Sequence, residues 1–157
     1  MSSDRFRGGM TEASGADPGT ETAVELGMSV VGYEMTYGRQ SASSEPPQPP
    51  LSWISVEMSV KGAYFQHFGQ QRPISRAIVA FTDQGLETTR VGNLWFQTTA
   101  SAAAVNARAP YADFPGFWAA LRLDRVARLS ITVLPSTLDI VELQLLSQGS
   151  LFPLFGI

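Results

Sequence analysis

The chain holds one histidine, His67, inside the run Tyr64-Phe65-Gln66-His67-Phe68. An imidazole works as a general base only with a carboxylate to orient it and a nucleophile to activate. No spacing along the chain supplies either, so His67 reads as a strand-end residue packed among aromatic rings. Cysteine is absent, which excludes disulfides, thiolate nucleophiles and thiolate metal sites. The 14 carboxylates are scattered, with no EF-hand loop and no HExxH, so no metal site is expected. GxGxxG, GxxxxGK[ST] and GxSxG are all missing, which removes the common phosphate cradles and the nucleophile elbow. No cofactor and no enzymatic activity are expected. The densest ordered charges are Arg122, Asp124, Arg125 and Arg128; guanidinium forks of this kind clamp carboxylates or phosphates, but such a cluster is more often the solvated edge of a strand.

Two other resources remain. Trp53 sits beside Ile54, and Trp95 lies between Leu94 and Phe96, so in each place one of two adjacent apolar side chains must point away from the main core. Outward rings are stacking platforms for sugars, and Trp53, Trp95 and Tyr64 with Arg122 and Arg125 form the candidate set for a carbohydrate or other small ligand. The tail Ser147 to Ile157 is the second resource, because Leu151, Phe152, Leu154, Phe155 and Ile157 end the chain where solvated polar residues are the norm. Leaving them in water forgoes about 1.5–3 kcal/mol per large side chain. The tail must therefore fold over its own domain or dock on a neighbour, and these five residues are the candidate partner-binding set.

The elements that carry these residues read as strands. From Ser52 to Lys61, Ile54, Val56, Met58 and Val60 alternate with Ser55, Glu57, Ser59 and Lys61, which is the pattern of a strand with one dry face. In residues 23–37 the apolar set runs Val24, Leu26, Met28, Val30 and then Val31, Tyr33, Met35, Tyr37, a phase change that requires a bulge or bend at Val30, Val31 and Gly32. The following strand changes phase across Gly62. Ile78 to Thr82 and Leu86 to Thr99 read as a hairpin turning at Asp83-Gln84-Gly85, and Ala127 to Val133 with Leu138 to Leu146 as a second, turning at Pro135 to Thr137. Helix is expected between the hairpins: Ala100 to Arg108 on propensity, and the following stretch because Asp113 can cap, Pro115 suits a first turn, and Phe114, Phe117, Trp118 and Leu121 share one face.

The expected fold is all-β, a mainly antiparallel sandwich or partly open barrel of six or more strands with one or two short helices. Residues 1–22 read as a disordered arm, 23–147 as one β domain, and 148–157 as the apolar tail. The stretch 41–50, with four prolines, reads as an exposed connection. A chain of 157 residues is long enough to bury a core without staples. The net charge of −3 and a single lysine, Lys61, argue against nucleic acid. No run of apolar residues is long enough to span a bilayer, and no secretory leader is visible, so a cytoplasmic location is expected. Only 16% of residues are charged, against the usual quarter, a hint of association. The expected function is a non-enzymatic structural or interaction module, with a protein partner or homo-oligomer reached through the tail; a carbohydrate- or small-ligand-binding surface is the alternative.

Overall fold

The computed structural model describes residues 21–96, 101–123 and 127–147. The arm at 1–20 and the whole apolar tail from 148 lie outside them, so the five tail residues have no described position. The strands are β1 (Val24–Gln40), β2 (Ser43–Ser44), β3 (Pro47–Gln48), β4 (Leu51–Lys61), β5 (Tyr64–His67), β6 (Gln70–Phe81), β7 (Gly92–Phe96), β8 (Ala103–Ala109), β9 (Arg128–Leu134) and β10 (Asp139–Leu146). One helix, α1 (Phe114–Leu123), follows a 3-10 turn at Tyr111–Asp113.

Seven strands close into a barrel in the order β4-β1-β9-β10-β7-β8-β6, with β6 pairing back onto β4. β5 hangs from the end of β6 as a hairpin, and β2 and β3 form a small exposed ladder in the connection from β1 to β4. Among the described residues all pairs are antiparallel except β6 with β8. A barrel of this size is narrow enough for side chains to fill, and Met28, Met58, Ile74, Phe81, Leu94, Leu129, Ile131 and Ile140 do so at 0–1% exposure. The all-β fold is thus a closed, packed barrel with one short helix.

The bulge falls where the phase change required it. Val30 faces Val60 and Gly32 faces Ser59, leaving Val31 as the extra residue. Because one residue is added, Tyr33, Met35 and Tyr37 stay on the inner side, opposite Met58, Val56 and Ile54. At Gly62 the strand ends instead of bulging: Gly62 takes φ +99 and the chain turns into β5.

Two expectations are corrected. Of the stretch Ala100 to Arg108, the described part is not helical: Ala103–Ala109 is β8, wedged between β6 and β7. Alanine's helix propensity is worth only tenths of a kcal/mol per residue, and a strand flanked on both sides takes the small residues that fit, with Ala103, Val105 and Ala107 buried. The same insertion removes the expected hairpin, since β6 and β7 do not pair. The loop Thr82–Val91 carries the chain over β8 so that β7 can join β10. The second hairpin, β9 to β10, forms as expected, with Leu138 at φ +64 closing its turn. The helix over Phe114 to Leu121 also forms, burying the expected face.

The hairpin β5 to β6 turns through a two-residue loop with Phe68 at φ 49 and Gly69 at φ 76, the primed geometry that suits twisted strands. Glycine adopts this backbone freely and asparagine tolerates it, but a bulky side chain is strained there. Phe68 gains little in return, being 91% exposed. Phe68→Asn should raise stability by about 1 kcal/mol, measured as a shift in the urea midpoint with unchanged slope; a fall would show that the His67 ring, 4.2 Å away, makes the contact worth keeping.

Candidate functional site

β1 is 17 residues long, yet β9 pairs only with its first part, Val24 to Ser29. One further bond, from the Val30 amide to the Ala127 carbonyl, ends that ladder. From Val31 to Gln40 the strand is held by β4 on one edge, and among the described residues no strand pairs with the other edge. The unpaired edge borders an apolar row. Tyr33 and Met35 are each 44% exposed and Tyr37 is 55% exposed, although Met58 and Val56, opposite Tyr33 and Met35, are fully buried and Ile54, opposite Tyr37, is half-buried. The difference is one of position: the inner face of β4 is roofed by the barrel, whereas this part of β1 runs past the end of β9.

Helix α1 partly covers the opening. Its Phe114 and Phe117 rings meet Phe81 at 5.5 and 5.1 Å between centroids, and Trp118 meets the Tyr33 ring edge-on at 5.4 Å. Edge-to-face contact at this spacing is the favoured arrangement for aromatic pairs. The result is a seam with an open backbone edge, an aromatic and thioether row, and Trp118 at one end. Open edges usually carry charge or proline to prevent pairing; here Glu34 and Arg39 are the only ionisable side chains besides the tyrosines between Val31 and Gln40.

A second feature lies on the outer wall. A cleft of about 570 Å³ is bounded by Ile78, Leu86, Arg90, Asn93, Asn106 and Arg108. Its floor is the outer face of β6, β8 and β7, and its rim is the loop Thr82–Val91. Gly92 permits the floor, since a Cβ there would stand 1.9 Å from the Asn106 carbonyl oxygen. Asn93 and Asn106 sit directly opposite in the ladder, and neither carboxamide has a hydrogen-bond partner among the described residues. Arg90 pins the rim, donating to Asp139 Oδ1 at 2.8 Å and to both Glu87 oxygens at 3.2 Å.

That hydrogen bond from Arg90 is the main cause holding the Asp139 carboxyl below its ordinary pKa. A carboxyl with a depressed folded-state pKa contributes stability that is complete above its unfolded value and is lost as pH falls through the folded one. Asp139→Asn should therefore be slightly less stable than the native chain at neutral pH, with the gap closing in acid. Urea midpoints measured from pH 7 down to the acid limit check this, and a gap that stays constant would contradict it. The pair is well exposed, so the effect is small.

Among the described residues, the ligand-binding candidates Trp53, Trp95, Tyr64 and Arg122 do not assemble. Trp53 points outward from β4 and its ring lies over Gly38, where an added Cβ would be 2.2 Å from the indole. Trp95 is exposed on the outer face of β7, three strands away from β4 by the shorter path. Tyr64 is exposed on β5, with β6 and β8 between it and β7. Arg122 places its guanidinium 5.7 Å from the Trp118 ring, one helical turn back, while Arg125 lies outside the described residues. His67 stacks on Phe96 at 4.7 Å and 6°. Arg122 thus stands at the Trp118 end of the seam, and Trp95 stands near the outer cleft, two residues along β7 from Asn93 on the same face. Tyr33, Met35 and Tyr37 were legible as an apolar face but not as an exposed one, and nothing in the sequence marked Asn93 or Asn106.

No family model, no curated protein and no solved structure matches the chain. Among the described residues no three His, Asp or Glu side chains come together as a metal site, and no helix is long and apolar enough to cross a membrane.

Proposed function

We propose that the chain is a non-enzymatic interaction module that takes an extended apolar segment of a protein chain along the open edge of β1. The observation that carries this reading is the coincidence, over Val31 to Gln40, of an edge with no partner strand among the described residues and an exposed row of Tyr33, Met35 and Tyr37. Unpaired strand edges bind extended peptides through the backbone, and alternate side chains give selectivity. Tyrosine and methionine suit such a surface, since one offers a rigid amphipathic ring and the other an adaptable thioether. The shortage of charged residues, 16% of the chain, supports the same reading.

The test is a library of random ten-residue peptides displayed and panned against the full chain carrying Leu151, Phe152, Leu154 and Phe155 changed to serine, so that its own apolar tail cannot compete. Enrichment of apolar, extended-forming sequences, lost on Met35→Lys, is expected. No enrichment, or capture indifferent to that lysine, would overturn the reading.

A second reading has one specific observation in its favour: the paired carboxamides of Asn93 and Asn106, without a hydrogen-bond partner among the described residues, in a cleft with Trp95 nearby. Carboxamides and an exposed indole are suited to a sugar or similar polar molecule. Tryptophan emission titrated with a panel of mono- and disaccharides tests it, and a flat response in native chain and Trp95→Phe alike would count against it.

A further inference from the structure

An extended apolar segment long enough to reach the seam is present in the chain itself. Ser29 of β1 and Leu146 of β10 both face Arg128 of β9, so the end of β10 lies level with Ser29 and two strand spacings from it, about 10 Å. Both strands run antiparallel to β9, so β10 and β1 run the same way. At Leu146 the chain is therefore heading in the direction in which β1 continues to Tyr33, Met35 and Tyr37.

Beyond Leu146 the chain has eleven residues, Ser147 to Ile157. At about 3.3 Å per extended residue they reach some 36 Å, against about 26 Å along β1 from the level of Ser29 to Tyr37 by the same rise. Counted from the Ser29 level, residues 151–157 fall beside residues 34–40. The spacing of the tail also fits an extended, proline-containing segment. Leu151, Leu154 and Ile157 recur every third residue, as do Phe152 and Phe155, the period of a polyproline II helix. Such a helix presents one apolar row to a surface, and aromatic-lined grooves are its usual receptor; Tyr33, Tyr37 and Trp118 supply such rings. A tether this short holds the tail at millimolar effective concentration, which favours the chain's own seam over that of another copy.

We propose that the C-terminal tail Leu151–Ile157 docks in the seam of its own barrel, parallel to β1 and over Tyr33, Met35 and Tyr37. The inference rests on the seam's being a site for extended apolar segments, and it makes the tail an internal occupant that a partner's segment must displace.

The chain contains no cysteine, so Ser150→Cys gives a single attachment point for a nitroxide spin label. With label and nitrogen-15 on the same full-length chain, the amide signals of Val31 to Gln40 should lose intensity severalfold, recovering on reduction of the nitroxide. In a mixture of labelled nitrogen-14 chains and unlabelled nitrogen-15 chains, the loss should vanish. Loss in the mixture at the same strength would place the tail on a second copy and overturn the proposal. No loss in either sample would also overturn it. In that case peptide panning against the tail-serine chain separates the two ideas: continued capture lost on Met35→Lys leaves the seam as a binding site without its tail, and absent capture removes both.

Discussion

Phe81→Ala is expected to destabilise the chain by about 3–5 kcal/mol, a large share of the 5–15 kcal/mol that a domain commonly has. Phe81 ends β6 at 1% exposure, where the barrel meets its helix. Its ring touches both Phe114 and Phe117 of α1, so truncation leaves a cavity that the strands, fixed by pairing on both sides of β6, can only partly close. The loss should spread along α1 to the Tyr33–Trp118 contact. Urea unfolding followed by far-ultraviolet circular dichroism measures the first effect, and tryptophan emission shifting red before global unfolding reports the second. A cost below about 1.5 kcal/mol, within the range of conservative hydrophobic exchanges, would mean that Phe81 does not bridge barrel and helix.

Gly92→Ala should cost about 3 kcal/mol, at the upper end of overpacking penalties. The new Cβ would stand 1.9 Å from the Asn106 carbonyl oxygen and 2.7 Å from the Ala107 Cα. Both are backbone atoms of a strand already paired on its other side with β6, so no side chain can swing away. β7 would have to withdraw from β8, and with it the two-residue contact that joins β7 to β10 and closes the ring. A fall in the urea slope as well as the midpoint is expected, because partial opening at this junction lessens the surface exposed on full unfolding. Gly38→Ala is the useful contrast: the atoms nearest its Cβ all belong to the Trp53 ring, a side chain on the barrel's outer wall, so a milder loss is expected there.

The two positions show where the sequence could and could not be read. A strand with one dry face announces itself by alternation, so β4, β9 and the two halves of β1 were visible, and the extra apolar residue at Val31 placed the bulge. At Trp53 and Trp95 the adjacent apolar neighbour showed that one of the two side chains must leave the core, but not which one. β8 was hidden because Ala103, Ala104 and Ala107 carry a helical preference, and only the close approach of β6 and β7, which no local pattern reports, makes small residues necessary there. The hairpin expected across Asp83 to Gly85 failed for the same reason, since strand order depends on what inserts between two strands.

The candidate site was the least legible part. Tyr33, Met35 and Tyr37 have the same alternation as Val56 and Met58, and the sequence of β1 cannot say that β9 stops pairing at Ser29. Exposure at the seam follows from unequal strand lengths, 17 residues in β1 against 7 in β9. The apolar tail, by contrast, stood out in the sequence because it broke every pattern around it.

The most direct measurement compares the affinity of one captured extended peptide for three forms of the tail-serine chain: otherwise unaltered, Met35→Lys and Trp95→Ala. A lysine in the centre of the row should weaken binding at least about tenfold, the scale of a residue at the heart of an interface, while loss of Trp95 on the far wall should leave it unchanged. Binding that survives Met35→Lys, or that falls with Trp95→Ala instead, would contradict the placing of the interaction surface on β1.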